Sequence, residues 1–140
     1  MKRILLVNGP NLNLLGRREV EIYGSTSLRE IEKEIIAVGG TQSMEVIPFQ
    51  SNHEGEIIDF IHGEYQSVDG IIINPGALAH YSYALRDCLA ATEKPVIEVH
   101  LSNLHRREEW RRHSVISEVC QGFICGLGIK GYLAALSYFK

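Results

Sequence analysis

Hydrophobic positions fall along this chain in two alternating rhythms. Short β-branched runs predict five strands: RILLVN at 3–8, MEVIPF at 44–49, GIIIN at 70–74, PVIEVH at 95–100 and GFIC at 122–125. Several are apolar almost throughout, as strands covered on both faces of a parallel sheet must be. Between them, apolar residues recur at helical spacing. Leu28, Ile31, Ile35 and Val38 form the first stripe, and Ile57, Ile58, Ile61 and Tyr65 the second. Tyr81, Ala84, Leu85 and Cys88 form the third, and Ile129, Tyr132, Leu133 and Leu136 the last. Each stripe reads as core. Ser27 with Glu30, and Ser51 with Glu54, predict capping boxes for the first two helices. With a further helix between the fourth and fifth strands, the order is a doubly wound α/β domain spanning residues 1–140, without linker or internal repeat.

Composition narrows the class. The chain of 140 residues is 45% hydrophobic and 22% charged, close to globular averages, so a disordered or fibrous chain is excluded. No apolar run approaches the ~20 residues that span a bilayer, and the basic, briefly apolar start turns polar at Asn8, so it reads as a strand rather than a leader. Cys88, Cys120 and Cys125 are an odd, unpatterned set, which predicts reduced thiols and a cytoplasmic location. A net charge of −3 argues against a nucleic-acid partner. Arginines nevertheless gather at Arg17 and Arg18 and again at Arg106, Arg107, Arg111 and Arg112, which suits a small anion.

In doubly wound sheets the ligand lies beyond the C-terminal strand ends, near a topological switch point. The segments there carry asparagines, histidines and serines: Asn8 to Asn13, Gln50 to His53, Asn74 to His80, and Glu98 to Ser102. Asn8, Gly9 and Pro10 serve equally well as turn formers. His80 and His100, each following an apolar strand on one edge, read as functional. Other chemistries fit less well. Gly126, Gly128 and Gly131 match G-x-G-x-x-G, but no later strand supplies the ribose-binding acid, so the glycines read as close-packing positions. The first loop lacks a hydroxyl-rich phosphate cradle, which disfavours a flavin, and Asn8 stands where a phospho-receiver needs an acid. No metal-ligand spacing joins the histidines. Cys88 falls in a core stripe, and no lysine has an evident Schiff-base seat.

Residues 13–25 make a connection too long to be a mere turn, which predicts a lid. It holds Arg17, Arg18 and Tyr23. Tyrosine titrates near ~10, so a tyrosine base at neutral pH needs a lowering of about three units, roughly 4 kcal/mol. One guanidinium at ~4 Å supplies about that much at an effective dielectric of ~20. The same residues would also serve as a surface Tyr-Gly turn. Glu98 and His100 are i and i+2 in one strand and face the same way, so the carboxylate can orient the imidazole and favour its protonated form. Leu101 and Ser102 then begin a segment whose backbone can hold a carboxylate. A base, an acid and anion holders suggest proton abstraction with loss of a leaving group, the work of a lyase. A non-catalytic flavodoxin-like module binding an anion or a partner is the rival reading.

The motifs NGPNLNLLGRRE…YG, NPGALAH…ALRD and IEVHLSNLHRREEWRRHS, in this order and over nearly the whole chain, resemble the type II 3-dehydroquinate dehydratase family. The resemblance implies a flavodoxin-like fold and dehydration of 3-dehydroquinate to 3-dehydroshikimate through an enolate, in the shikimate pathway. It implies no cofactor, metal or imine, and a homododecamer built of trimers. Position by position, it makes Tyr23 the base, Arg18 the cation that holds its anion, and Asn11 the residue placing an enolate-steadying water. It makes His100 the acid, oriented by Glu98. Asn74, His80, Leu101, Ser102 and Arg111 would bind substrate, Arg107 would support the lid, and Asp87 would reach a neighbouring subunit's site. Which of Arg17 and Arg18 faces the tyrosine rests on the resemblance alone. The chain departs from the family pattern at Val20, where proline is common, and at Ala79 and Tyr81, where threonine is common.

Overall fold

The computed structural model describes every residue except Arg18 and Gly24, and Tyr23 only as part of its backbone element. Five strands form one parallel sheet: β1 (Lys2–Asn8), β2 (Met44–Gln50), β3 (Gly70–Asn74), β4 (Val96–His100) and β5 (Gly122–Cys125). Their order is β2-β1-β3-β4-β5. The apolar runs are buried as their composition requires, with Ile4 to Val7 and Ile71 to Ile73 at 0% exposure. Each such side chain contributes about 1.5–3 kcal/mol by leaving water. Alternate residues serve opposite faces. Ile4 and Leu6 pack with helices α2 (Leu28–Thr41) and α5 (Lys130–Tyr138), whereas Leu5 and Val7 pack with α3 (Glu54–Glu64) and α4 (Tyr83–Thr92).

The first predicted cap forms: Ser27 Oγ accepts from Glu30 N at 3.2 Å. The second does not. Ser51 N still donates to Asn8 O at 3.2 Å, which keeps Ser51 in line with the sheet, and His53 becomes the N-cap of α3. Ser51 Oγ instead accepts from His53 N and donates to Glu56, while Glu54 takes the hydroxyl of Ser82. Tyr81 is likewise outside the core. Ser82 caps α4 by accepting from Leu85 N, so the helix starts after Tyr81, which is 63% exposed. The helix expected between β4 and β5 is replaced by three 3₁₀ turns, Leu104–Arg106, Glu109–Arg112 and Ser117–Val119. Between Leu104 and Val115 only Trp110 is apolar, so this part has no face for a helix to bury, and the Val115, Ile116 and Val119 cluster that follows is too short to make one.

The expected lid segment contains a 3₁₀ turn at Leu12–Leu14 and a short helix α1 (Val20–Tyr23). Buried Leu12 and Leu15 anchor its start in the α2/α5 core. Its ends approach one another at Gly16, whose φ is +87° and where a Cβ would stand 2.8 Å from Ser25 O. This makes the excursion an Ω-type loop on a narrow base.

The order 2-1-3-4-5 reverses direction between β1 and β3, and there the two following loops touch. Gly9 N donates to Asn74 O at 2.8 Å, and a Cβ on Gly9 would lie 2.4 Å from Pro75 O. Both sides of that clash are backbone, so neither can yield cheaply. Gly9→Ala is therefore expected to cost about 2–3 kcal/mol, read as a lower denaturation midpoint. An unchanged midpoint would mean that the loops can separate freely.

Candidate active site

A cleft opens where those two loops meet the end of β4. It encloses about 660 Å³, part of it open solvent, and its lining includes Asn11, Asn74, His80, His100, Ser102 and Arg111. Leu101 and Arg107 line it too. The switch-point rule thus locates the site.

At the cleft's floor, β4 ends in the predicted pair. His100 Nε2 lies 2.6 Å from Glu98 Oε2, with both side chains buried. Because Nε2 is engaged, Nδ1 is the ring nitrogen available for chemistry in the cleft. Glu98, at 0% exposure, also receives the hydroxyls of Ser114 and Ser117. Ser114 ends the motif that begins at Ile97, but neither serine was given a role there. The signal available in sequence is indirect: an acid inside an apolar strand demands donors, without saying where they come from.

His80 faces His100 at a ring-centroid distance of 6.2 Å. Its Nδ1 donates to the carbonyl of His113 at 2.8 Å, an acceptor that fixes the tautomer and leaves Nε2 as a lone-pair acceptor. Burial lowers the His80 pKa from the usual 6.5; the His113 hydrogen bond opposes this, the charges of His100 and Arg111 add to it, and Glu98 opposes it. A ring with a lowered folded-state pKa binds its proton more readily when unfolded. Its contribution to stability is therefore complete above pH ~6.5 and is lost as pH falls through the folded value. Ring-proton NMR is expected to show His80 titrating below 6.5; a midpoint at or above it would refute the neutral assignment. Trp110 meets the His80 ring edge-on at 5.2 Å, and the Arg111 guanidinium stacks 4.1 Å over the indole. Arg111 is also hydrogen-bonded to Glu108, whose pKa this lowers. Trp110 was not among the residues expected at the site.

Asn74 is oriented from below. Its Nδ2 donates to Tyr132 Oη at 3.0 Å, its Oδ1 accepts from Gly76 N at 3.2 Å, and Tyr132 Oη donates to Asn8 Oδ1 at 2.5 Å. Burial holds the Tyr132 phenol above the usual tyrosine range, so it remains a donor. The last helical stripe predicted Tyr132 only as core. Asn11 adopts φ 70°, its N–H held by Asn52 Oδ1 at 2.9 Å. Arg107 reaches Ser102 Oγ at 3.4 Å.

Asp87 is not brought to this cleft. It lies on α4 with its side chain exposed, 2.9 Å from Arg86. Arg18 and the Tyr23 side chain lie outside the described residues. The glycine motif serves packing: Gly126 N and Gly128 N donate to His100 O and Leu101 O, and a Cβ on Gly131 would press Val99 at 3.3 Å. Among the described residues no cluster of three or more His, Cys, Asp or Glu is arranged to hold a metal. No described helix is long and apolar enough to cross a membrane. Burial pushes the Cys88 thiol up to about 11, and burial aided by Glu98 pushes Cys120 up to about 12, so neither is a ready nucleophile.

Strand order and cleft position place the chain among flavodoxin-like α/β proteins, with a buried imidazole–carboxylate pair opening on the cleft. Comparison with known proteins makes this specific. The chain belongs to the class II dehydroquinase family, whose model matches residues 2–140. It is 60% identical over 136 residues to a 3-dehydroquinate dehydratase of Halothermothrix orenii, covering 97% of this chain and 92% of that protein. The type II dehydroquinase structure from Propionibacterium acnes matches with a TM-score of 0.96 and 42% identity, over 99% of this chain and 96% of that one. That from Butyrivibrio crossotus matches with a TM-score of 0.96 and 49% identity, over 98% and 96%.

Proposed function

We propose that this chain dehydrates 3-dehydroquinate to 3-dehydroshikimate as a type II enzyme, a hydro-lyase of the shikimate pathway, with the following residue roles. Tyr23, as its anion beside Arg18, removes the proton α to the ketone. The electron pair passes to the carbonyl oxygen as an enolate, steadied by a water that Asn11 helps to place. Collapse of the enolate expels the β-hydroxyl, which takes a proton from His100 and leaves as water. Glu98 holds the imidazole in position for that transfer. His80, with Nε2 as acceptor, and Asn74, with its amide fixed by Tyr132, take substrate hydroxyls. The Leu101–Ser102 backbone and Arg111 take the carboxylate and ring oxygens.

The observation that carries this reading is the buried Glu98–His100 pair at 2.6 Å, opening on a cleft with anion-holding groups. The loop over 13–25 acts as a lid over a single catalytic domain, with Arg107 supporting it from the cleft side. Exposed Asp87 reaches the site of an adjacent subunit in a homododecamer of trimers. The enzyme works in the cytoplasm, and neither a metal, a cofactor nor an imine enters the reaction. The rival reading, a non-catalytic anion- or partner-binding module, draws no support from relatives named as dehydratases.

The test is direct. Purified protein incubated with 3-dehydroquinate is expected to generate the ultraviolet absorbance of a conjugated product, and to keep doing so after chelator or borohydride treatment. No absorbance change rejects the activity, and loss to either reagent rejects the mechanism. Light scattering is expected to give twelve times the 15.7 kDa of the chain; a monomer mass would remove Asp87 from its role.

A further inference from the structure

Glu98 has more hydrogen-bond donors than its imidazole partner supplies. Ser117 Oγ donates to Oε1 at 2.6 Å, and Ser114 Oγ lies 3.0 and 2.9 Å from Oε1 and Oε2. With His100 Nε2 on Oε2, three donors converge on a carboxylate at 0% exposure. The serines arrive together from the connection after β4, and Ser117 N donates to Ser114 Oγ at 3.3 Å, so one turn carries both hydroxyls. A hydroxyl that donates to a carboxyl group stabilises its anion. A buried anion without such donors would instead recover its proton from the nearest acid, here the imidazolium that the elimination needs.

We propose that Ser114 and Ser117 are positioning residues for this reaction, a hydroxyl pair that keeps Glu98 an acceptor and thereby keeps the transferable proton on His100. Neither serine lines the cleft; both act through Glu98. The pair rests on the reading of His100 as the acid, and it adds a control point that the strand itself does not contain. Among the described residues, the other titratable or charged groups facing Glu98 and His100 are few. His80 stands across the ring at 6.2 Å, Arg111 lies beyond His80, and Cys120 follows the Ser117 turn with its thiol protonated. None of these three donates a hydrogen bond to Glu98, so beside His100 itself the two serines are the donors that hold its charge.

The experiment compares Ser114→Ala/Ser117→Ala, Ser117→Ala and Ser117→Thr with the parent enzyme, by kcat and KM across pH and by ¹⁵N NMR of the His100 ring without substrate. Losing hydrogen bonds to a charged group of this kind is expected to lower kcat about tenfold across the pH range, with KM within about twofold. The proton passes between Glu98 and His100 with no change in their total charge, so the kcat plateau falls at every pH and the ¹⁵N shifts of the His100 ring move toward those of the neutral form at pH 7. Ser117→Thr, which keeps the hydroxyl, should restore both. A double variant with the parent's kcat and ring ¹⁵N shifts overturns the proposal; so does a kcat that falls while the ring shifts stay in place. If the double variant fails to fold, Ser117→Ala decides. If that fails as well, the ¹³C shift of the Glu98 carboxyl in the parent protein decides: ionised from about pH 5 to 8 supports the proposal, protonated at neutral pH overturns it. The NMR readings need no turnover, so failure of the acid assignment and failure of the serine pair are separable.

Discussion

His100→Asn is expected to lower kcat by about 10²–10⁴-fold, the usual worth of a positioned general acid, while KM changes little. Asparagine is the informative replacement because its amide can still donate toward Glu98. Alanine would leave that buried carboxylate without its third donor and confound catalysis with stability. The parent pair is short, at 2.6 Å, and both members are almost inaccessible, so the imidazole has little orientational freedom to lose on reaching the transition state. Steady-state kinetics with a thermal melt separates the two effects. A folded variant with near-parental kcat would assign the leaving-group proton to another residue, of which His80 is the nearest candidate. That candidate is poorly suited, because the His113 carbonyl takes its Nδ1 proton and burial disfavours a second one.

Tyr23→Phe is expected to lower kcat by a comparable factor, about 10²–10⁴-fold. Phenylalanine keeps the ring and removes the oxygen that the proposed mechanism uses to accept the substrate proton. The loss should therefore appear in kcat, with KM changing little and the fold intact. The charge state offers a second reading. A phenol that works near neutral pH must titrate about three units below its ordinary value, and one guanidinium at ~4 Å is sufficient cause. Difference absorbance of the ligand-saturated enzyme should show a tyrosinate near neutral pH that is missing in Tyr23→Phe. Near-parental turnover in the variant would remove Tyr23 from the base role.

Much of the architecture was legible because burial on both faces leaves a periodic record. The five strands agree within a residue or two of their predicted bounds, and the four stripes fall on the helices expected except at Tyr65, Tyr81 and Ile129, which stand just outside them. The failures are local and have local causes. Tyr81 matched a helical period, yet Ser82 offers a better cap and starts α4 after it. Ser51 and Glu54 matched a capping box, yet the β2 backbone pairing holds Ser51 back, and both side chains find longer-range partners. Between β4 and β5 a helix was expected and 3₁₀ turns stand instead, since from Leu104 to Val115 only Trp110 is apolar between arginines and glutamates and no stripe is left to bury.

Local pattern by itself determined the alternation of strands and helices, the edge on which the site lies, and the Glu98–His100 pair. Each depends on spacing within a few residues, and two-residue strand periodicity suffices to face the acid toward its imidazole. Only the folded chain decided the rest. Strand order 2-1-3-4-5 brings Gly9 against Pro75 and so opens the cleft. Tyr132 from the last helix reaches Asn8 and Asn74, and Ser114 and Ser117 close on Glu98. Those hydrogen bonds join residues 16 to 124 positions apart. No periodicity records such partners, because a buried polar group dictates that it must be satisfied but leaves the choice of donor to the packing of the whole.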